Sequence, residues 1–445
     1  MNDACAGGSR RKPELLAPGG SYEKCRIAFL YGADAVYAAG RDYSLRGYAK
    51  NLDLEEIAAA ATLARSLGRK FYAAVNAFAL ETDLAGLPPY LRYLQDIRVD
   101  GLIVSDPGVI LLARRWAPDI PVHLSTQANT MNSLSVRFWQ EQGVSRVNLA
   151  REIHFEDLAD IRRNTSAELE VFVHGAMCMS YSGRCLLSAF LNHRSANRGL
   201  CSQPCRWSYR LVEEKRPGRY FPIHEDARGT YIFNSKDLCL LEDVGKLAAL
   251  GVDSLKIEGR MKGALYLAAT VRSYRHAIDR WHASPEGYRV ESGWREDLDR
   301  MSHRPYTKGL LFPDEEVDGE TVDAATPYLQ THTLAALVRP STEELLGGEN
   351  RNGTPWNPAA GDLPKPPDGH PEATTEHWTT LEVRHRLSTG TALDFLNPDG
   401  STSRHVLDAF EDLRGNPMTV AHPNSWVRLR LPFPTVPLQV VRMCS

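Results

Sequence analysis

The chain contains no long apolar run. None of its segments approaches the roughly twenty consecutive apolar residues that a membrane-spanning helix requires. The opening stretch MNDACAGGSRRKPELLAPGG sets no apolar segment between a basic start and a small-residue cleavage site, so no secretory signal is read and a cytoplasmic protein without a membrane partner is expected. Charge of one sign is lacking too, since 52 Lys and Arg stand against 55 Asp and Glu, for a net charge of -3. A nucleic-acid partner would therefore be held by a local basic patch and not by the field of the whole molecule. Several catalytic signatures are missing. There is no H-E-x-x-H helix for a metalloprotease, no G-x-S-x-G elbow for a serine hydrolase, and no G-x-G-x-x-G phosphate loop after the first strand.

Cysteine is scarce, at eight in 445 residues, but five of the eight fall within the 62 residues from Cys178 to Cys239. With no export signal, disulfides explain this grouping poorly, because cytosolic thiols are kept reduced and clustered ones more often bind metal or do redox chemistry. Six residues separate Cys178 from Cys185, fifteen Cys185 from Cys201, three Cys201 from Cys205, and thirty-three Cys205 from Cys239. No C-x-x-C occurs, and only Cys201 and Cys205 offer the tight knuckle that structural zinc prefers. An iron-sulfur cluster also takes four thiolates but tolerates wider spacing, so it fits better, with zinc and a set of merely buried reduced cysteines as the rival readings.

A short unit repeats: Gly32 to Tyr37 (GADAVY), Gly143 to Asn148 (GVSRVN) and Gly251 to Lys256 (GVDSLK). Each is a glycine that ends a helix and leads into a strand. Further β-type runs lie at Glu14 to Ala17, Phe71 to Val75, Gly101 to Ser105, Pro121 to Ser125 and Glu170 to Val173, giving eight strands with helical stretches between them. The segment Leu54 to Leu67 is typical of these spacers, with Asp53 to cap it, Glu56 for a capping box and Gly68 to stop it. Strand and helix in alternation imply a parallel sheet, and eight units over this length predict a TIM-type (β/α)8 barrel in preference to an open doubly wound sheet. In such a barrel the catalytic groups sit where strands end, which picks out Pro18, Asn76, Asp106, Gln127, Arg151, His174 and Glu258. The cysteine-rich segment 175–238 is then an insertion opening on that same face.

On this reading residues 1–12 are a flexible start, 13–324 the barrel, and 325–445 a small all-β, barrel-like C-terminal domain. The last is drawn from alternating runs at Thr331 to Val338, Leu381 to Arg386, Thr391 to Leu396 and Trp426 to Leu431, with Asn397 to Gly400 as a turn. A loop over 340–378, with six prolines between Pro355 and Pro371, interrupts it.

The runs PELLAPGGSYEKCRIAFLYGADAVYAAG, SGRC around Cys185, NRGLCSQPCRW, NSKDLC and SLKIEGRMKG resemble the signature of the collagenase-like peptidase family, U32. The resemblance covers about Pro13 to Asp279, and the C-terminal tail is similar to that of the branch that forms 5-hydroxyuridine at the tRNA wobble position. It implies chemistry other than the family's name: oxygen-independent hydroxylation of RNA bases or of ubiquinone precursors, with a 4Fe-4S cluster on four cysteines. In the RNA branch it further implies prephenate as the hydroxyl donor. Carried over by position, the ligands are Cys178, Cys185, Cys201 and Cys239, with Cys205 as the alternative to Cys201. The proline-rich loop departs from the compact tail of that branch.

Other residues are singled out by pattern. Lys256, Glu258 and Arg260 alternate on a predicted strand and so would bring charge to the barrel mouth as catalytic candidates, or form a structural salt bridge beneath it. Arg260, Lys262 and Arg272 offer contacts to a dicarboxylate such as prephenate. His174, ending the seventh strand, is either a proton carrier or a structural histidine. From Arg184 to Arg219 there are eight Lys and Arg against two Glu, a local excess of +6. With Arg184, Arg198, Arg206 and Trp207 among its residues, this stretch suits the anticodon loop of a tRNA, its base stacked on an aromatic ring and its phosphates on arginines; a solvated basic loop around the cluster is the plainer alternative. Hydroxylation of a small quinone precursor, a zinc-bearing RNA scaffold and proteolysis are the remaining alternatives.

Overall fold

The computed structural model describes residues 11–41, 43, 51–177, 185, 187–192, 202, 211–212, 220–221, 224–226, 229–231, 236–313, 328–340 and 376–445. The expected barrel is there. Strands β1 (Glu14–Pro18), β2 (Ala35–Ala38), β3 (Lys70–Val75), β4 (Gly101–Val104), β5 (Val122–Leu124), β6 (Val144–Asn148) and β7 (Glu168–Ala176) pair in chain order, all parallel. A short strand β8 (Asp237–Cys239) intervenes before β9 (Ser254–Ile257), which pairs in parallel with both β7 and β1 and closes the ring. The outward side chains of these strands pack with the surrounding helices into one large apolar core. Helix Leu54–Ser66 begins as its sequence suggests: Asp53 Oδ1 accepts from Glu56 N at 2.8 Å, and Glu56 Oε2 accepts from Asp53 N at 3.1 Å.

At nine residues β7 is the longest barrel strand, and its last residues run past the registers of β6 and β9. They are covered by β8, which pairs with them antiparallel and sets Cys239 opposite His174. β8 in turn pairs with β10 (Tyr306–Thr307). The long excursion after the seventh strand therefore leaves the barrel along β7 and returns along β8, so that Cys239 is planted on the C-terminal face.

The C-terminal part is an antiparallel sheet of eight strands, centred on His332–Arg339, His377–Val383, Trp426–Leu431 and Val440–Cys444 and packed over its own core, with a two-stranded ribbon of Leu387–Ser388 and Val420–Ala421 beside it. It docks on the last long barrel helix, Ala264–Ala283. Arg272, expected to meet substrate, is instead buried in this seam: its Nε donates to Asp297 Oδ2 at 2.7 Å and its Nη1 to the carbonyls of Ser401 (2.9 Å) and Asn397 (3.3 Å). Asp297 also accepts from Arg442 Nη1 at 2.8 Å, and Tyr31 Oη donates to Leu396 O at 2.8 Å. Gly400, at φ 90°, lets the turn of Asn397 to Gly400 lie against His276, where a Cβ would sit 2.5 Å from Nε2.

Asp297 neutralises two guanidinium groups in this buried seam. Asp297→Ala is expected to lower stability by about 3–5 kcal/mol, the usual cost of stranding a buried charge. Chemical denaturation of the two proteins side by side measures it.

Candidate active site

The interior of the barrel is unusually charged. Arg146 from β6 donates to Glu14 Oε1 of β1 at 2.6 Å and to Glu168 Oε2 of β7 at 2.9 Å, while Lys256 Nζ from β9 lies 2.7 Å from Glu170 Oε1. Burial raises the Glu14 carboxyl, but Arg146, Tyr72 and Lys70 together outweigh it and leave the group below the usual carboxylate range. For Lys256 the balance is reversed: burial draws the ammonium down against the pull of Glu170. The Lys256 ammonium lies 4.5 Å from the centre of the Tyr37 ring and 5.4 Å from that of Phe172, so an aromatic pair lies beside it.

Two of the sequence expectations are corrected here. Lys256 takes Glu170, not Glu258, as its partner. Glu258 and Arg260 do not alternate with it on a strand, because β9 ends at Ile257 and both residues lie in the turn that follows. That turn is pinned to β7: Glu258 N donates to His174 O at 2.9 Å, and Glu258 O accepts from Tyr266 Oη at 2.7 Å.

His174 does not end β7, which runs on to Ala176, and a bulge sets the way it faces. Lys256 pairs with Phe172, but the next residue, Ile257, pairs with His174, so β7 carries one extra residue. Such a bulge turns every later side chain to the opposite face. His174 consequently leaves the barrel interior and packs between Tyr266, Tyr274 and Tyr306, with ring centres 5.8, 5.5 and 5.5 Å away. Gly175, at φ 109°, completes the bulge, since a Cβ there would lie 2.5 Å from Glu258 O. Burial, helped by Lys262, His303 and Arg295, pulls the imidazole down to about 3, so His174 is neutral at physiological pH. Its Nε2 is buried with no hydrogen-bond partner among the described residues.

Cys239 shares this pocket of tyrosines: Tyr274 Oη lies 3.9 Å from its Sγ and donates to Val173 O at 2.8 Å. Burial pushes the Cys239 thiol up, with Arg295 and Tyr274 among the groups opposing it. Cys239 and Cys185 are both free of disulfides, and their thiols have the chemistry a metal cluster needs. Cys178, Cys201 and Cys205 lie outside the described residues, as do Arg184, Arg198, Arg206 and Trp207. Among the described residues no three His, Cys, Asp or Glu side chains come together as a metal site.

The other strand-end residues divide by role. Asp106 caps the helix Pro107–Trp116, accepting from Gly108 N at 2.8 Å. Arg151 stacks on Phe172 at 3.9 Å and lines a narrow cleft with Met177, Leu238 and Lys308. Asn76 and Gln127 form an amide lattice at the mouth: Asn76 Nδ2 donates to Gln127 Oε1, and Gln127 Nε2 donates back to Asn76 O, each at 3.0 Å. Ser105 and Ser125 donate into the same lattice at 2.9 and 3.0 Å. Of the inward groups, the sequence reading missed Arg146 and Asn148, although both stand in its second repeat at the positions that Ser254 and Lys256 occupy in the third.

Comparison with known proteins agrees with this architecture. The signature of peptidase family U32 matches residues 20–321, and that of the peptidase family U32 C-terminal domain matches residues 370–443. The chain belongs to peptidase family U32. Among U32 relatives it is 36% identical over 433 residues to tRNA hydroxylation protein P1 of Bacillus subtilis, covering 97% of this chain and 95% of that protein. It is 35% identical to tRNA hydroxylation protein P of Escherichia coli, covering 95% and 94%. The 23S rRNA 5-hydroxycytidine C2501 synthase of Escherichia coli is 34% identical over 61% of this chain and 40% of its own length. A solved U32 peptidase structure covers 58% of the chain at 16% identity with a TM-score of 0.37. No helix among the described residues is long and apolar enough to cross a membrane.

His123 lies in the barrel interior near Arg146, Lys256 and Lys70, and burial followed by these cations holds its pKa well below the ordinary value. The folded protein therefore keeps it neutral while the unfolded chain takes up a proton below about pH 6.5. Its contribution to stability is complete above that pH and is lost as the pH falls toward the folded value. Melting midpoints recorded from pH 7.5 downward should fall less steeply for His123→Gln than for the parent; equal slopes would assign the acid sensitivity to other groups.

Proposed function

We propose that this chain hydroxylates C5 of the wobble uridine of tRNA without molecular oxygen, using a 4Fe-4S cluster and prephenate as the hydroxyl donor. The observation that carries this reading is similarity along nearly the whole chain to two bacterial tRNA hydroxylation proteins. Cys178, Cys185, Cys201 and Cys239 are the residues that would hold the cluster, Cys205 being the substitute for Cys201. When bound, a cluster of this kind supplies thiolate-anchored iron for binding or activating an oxygen donor.

The chain's own residues take the remaining tasks. Cys239 is set at the top of the barrel by the pairing of β8 with β7, beside a tyrosine hydroxyl. Arg260 and Lys262 follow β9 on the same face and bring positive charge suited to a dicarboxylate donor. Lys262 donates to Ser302 O at 3.4 Å and lies over the Tyr266 ring, which limits where its ammonium can go. His174, neutral and enclosed by tyrosines, orients this corner and is not a ready proton donor at neutral pH. Arg184, Arg198, Arg206 and Trp207 of the basic insertion would hold the anticodon loop.

Two experiments test the reading. Protein purified without oxygen should be brown, with absorbance near 400 nm and about four irons per chain. Cys239→Ser should lose most of that iron, and cells relying on it should lack 5-hydroxyuridine and its derivatives in their tRNA by mass spectrometry; a colourless parent protein with one tightly bound zinc overturns the cluster. Reversing charge at Arg198 and Arg206 should weaken tRNA binding and flatten its salt dependence, because each lost phosphate contact lowers the slope by about one. Unchanged binding removes the insertion from the RNA site.

A further inference from the structure

The three sequence repeats become a spatial set once the barrel is closed. Their sixth residues are Tyr37, Asn148 and Lys256, on β2, β6 and β9. The neighbouring residues Val36, Val147 and Leu255 face outward into the helix-covered core, so by alternation these three face inward. Counting β9 as the eighth barrel strand, they belong to alternate strands, and Ile103 of β4 completes a layer of four in the manner of such barrels. The layer is continuous: Lys256 lies over the Tyr37 ring, and Asn148 and Lys256 flank Glu170 of β7, Asn148 through the strand register and Lys256 through its ion pair.

Above this layer the strand ends present small groups. Ala39, Ala74, Ser105 and Ser125 stand where barrels of this type carry bulky branched residues, and Phe172 is the large side chain among them. Apart from Phe172 and the Asn76–Gln127 amides at the mouth, the layer of Tyr37, Asn148 and Lys256 is the one below it with substantial side chains. One of its members is unsatisfied: Asn148 is 2% exposed, and its Oδ1 is buried with no hydrogen-bond partner among the described residues. A stranded acceptor of this kind costs stability unless something else fills its valence.

We infer that Asn148 is a specificity-determining residue that reads the imide edge of a uracil entering the barrel mouth, its Oδ1 accepting the N3–H while the Lys256 ammonium donates to an adjacent carbonyl. This rests on the RNA reading given above and names the residues that select the base. Uracil carries its N3–H donor between two carbonyl acceptors. Held in the same pose, cytosine sets its unprotonated N3 against the Oδ1 acceptor and its amino donor against the ammonium, so both contacts are lost. Lys256 has three ammonium protons, one of which serves Glu170, and Phe172 and Tyr37 provide aromatic faces beside it for a flat ring.

The test uses the holoprotein and anticodon stem-loops identical except at the wobble base, which is uridine, N3-methyluridine or cytidine. Dissociation constants come from fluorescence anisotropy, and thermal midpoints are taken on the same samples. The parent should prefer uridine over both other bases by about ten- to a hundredfold, the worth of one buried hydrogen bond left unmade. In Asn148→Leu, which has similar size and no acceptor, that preference should collapse toward one while the melting midpoint stays level or rises. Asn148→Ser, which keeps a smaller acceptor, should retain part of it. A preference that survives Asn148→Leu, or a parent that binds all three loops equally, overturns the assignment of Asn148 and leaves the RNA reading standing. A parent that binds none of the loops, and whose cells make no 5-hydroxyuridine, overturns both.

Discussion

Arg146 is the group on which the barrel depends. Its guanidinium is almost fully buried and meets Glu14 and Glu168, with Glu170 3.5 Å away, so one side chain ties β6 to β1 and to β7. Glu170 then passes the connection to Lys256 on β9, the strand that closes the ring. Each charge is acceptable in this interior only because its partner is held at hydrogen-bonding distance by strand register. A slip of one residue in β6 or β9 would turn Arg146 or Lys256 out of the barrel and leave carboxylates stranded. Charge therefore enforces register here, where an apolar interior would tolerate more ways of packing.

The same network gives the mouth its chemical character. The lower barrel is occupied by charged and aromatic groups, and the upper barrel by small residues and an amide lattice. Polar groups are thus gathered inside the barrel, where a low dielectric makes hydrogen bonds discriminate strongly between partners. The bulge in β7 separates this interior from a second environment only two residues further along the strand. Phe172 still faces the barrel, whereas His174 faces the tyrosines around Cys239. A single extra residue thus divides the top of β7 between the barrel interior and the side that carries Cys239.

The seam between barrel and C-terminal sheet shows why a charged residue is hard to assign from its type. Arg272 has the chemistry of an anion-binding group, but its helix presents it to Asp297 and to backbone carbonyls of the turn that ends at Gly400. A turn carbonyl and a substrate carboxylate look alike to a guanidinium. Which one it meets depends on the packing of an element more than a hundred residues away in the chain.

Periodicity and punctuation in the sequence determined the eight strands, the helix caps, the parallel order and the all-β character of the tail, because these follow from local rules of alternation and of glycine and proline geometry. The expectation that the cysteine-rich stretch opens on the C-terminal face is met at Cys239, which β8 holds beside the end of β7. What the sequence left open was every pairing between distant residues. It linked Lys256 with Glu258 because they are neighbours in the chain, whereas closure of the barrel linked it with Glu170 of another strand. It left His174 open between a proton carrier and a structural histidine, and a bulge that exists only against β9 turned it away from the barrel interior. Asn148 passed unnoticed as one polar residue in a repeat, because an unsatisfied oxygen can be recognised only when everything around it has been placed.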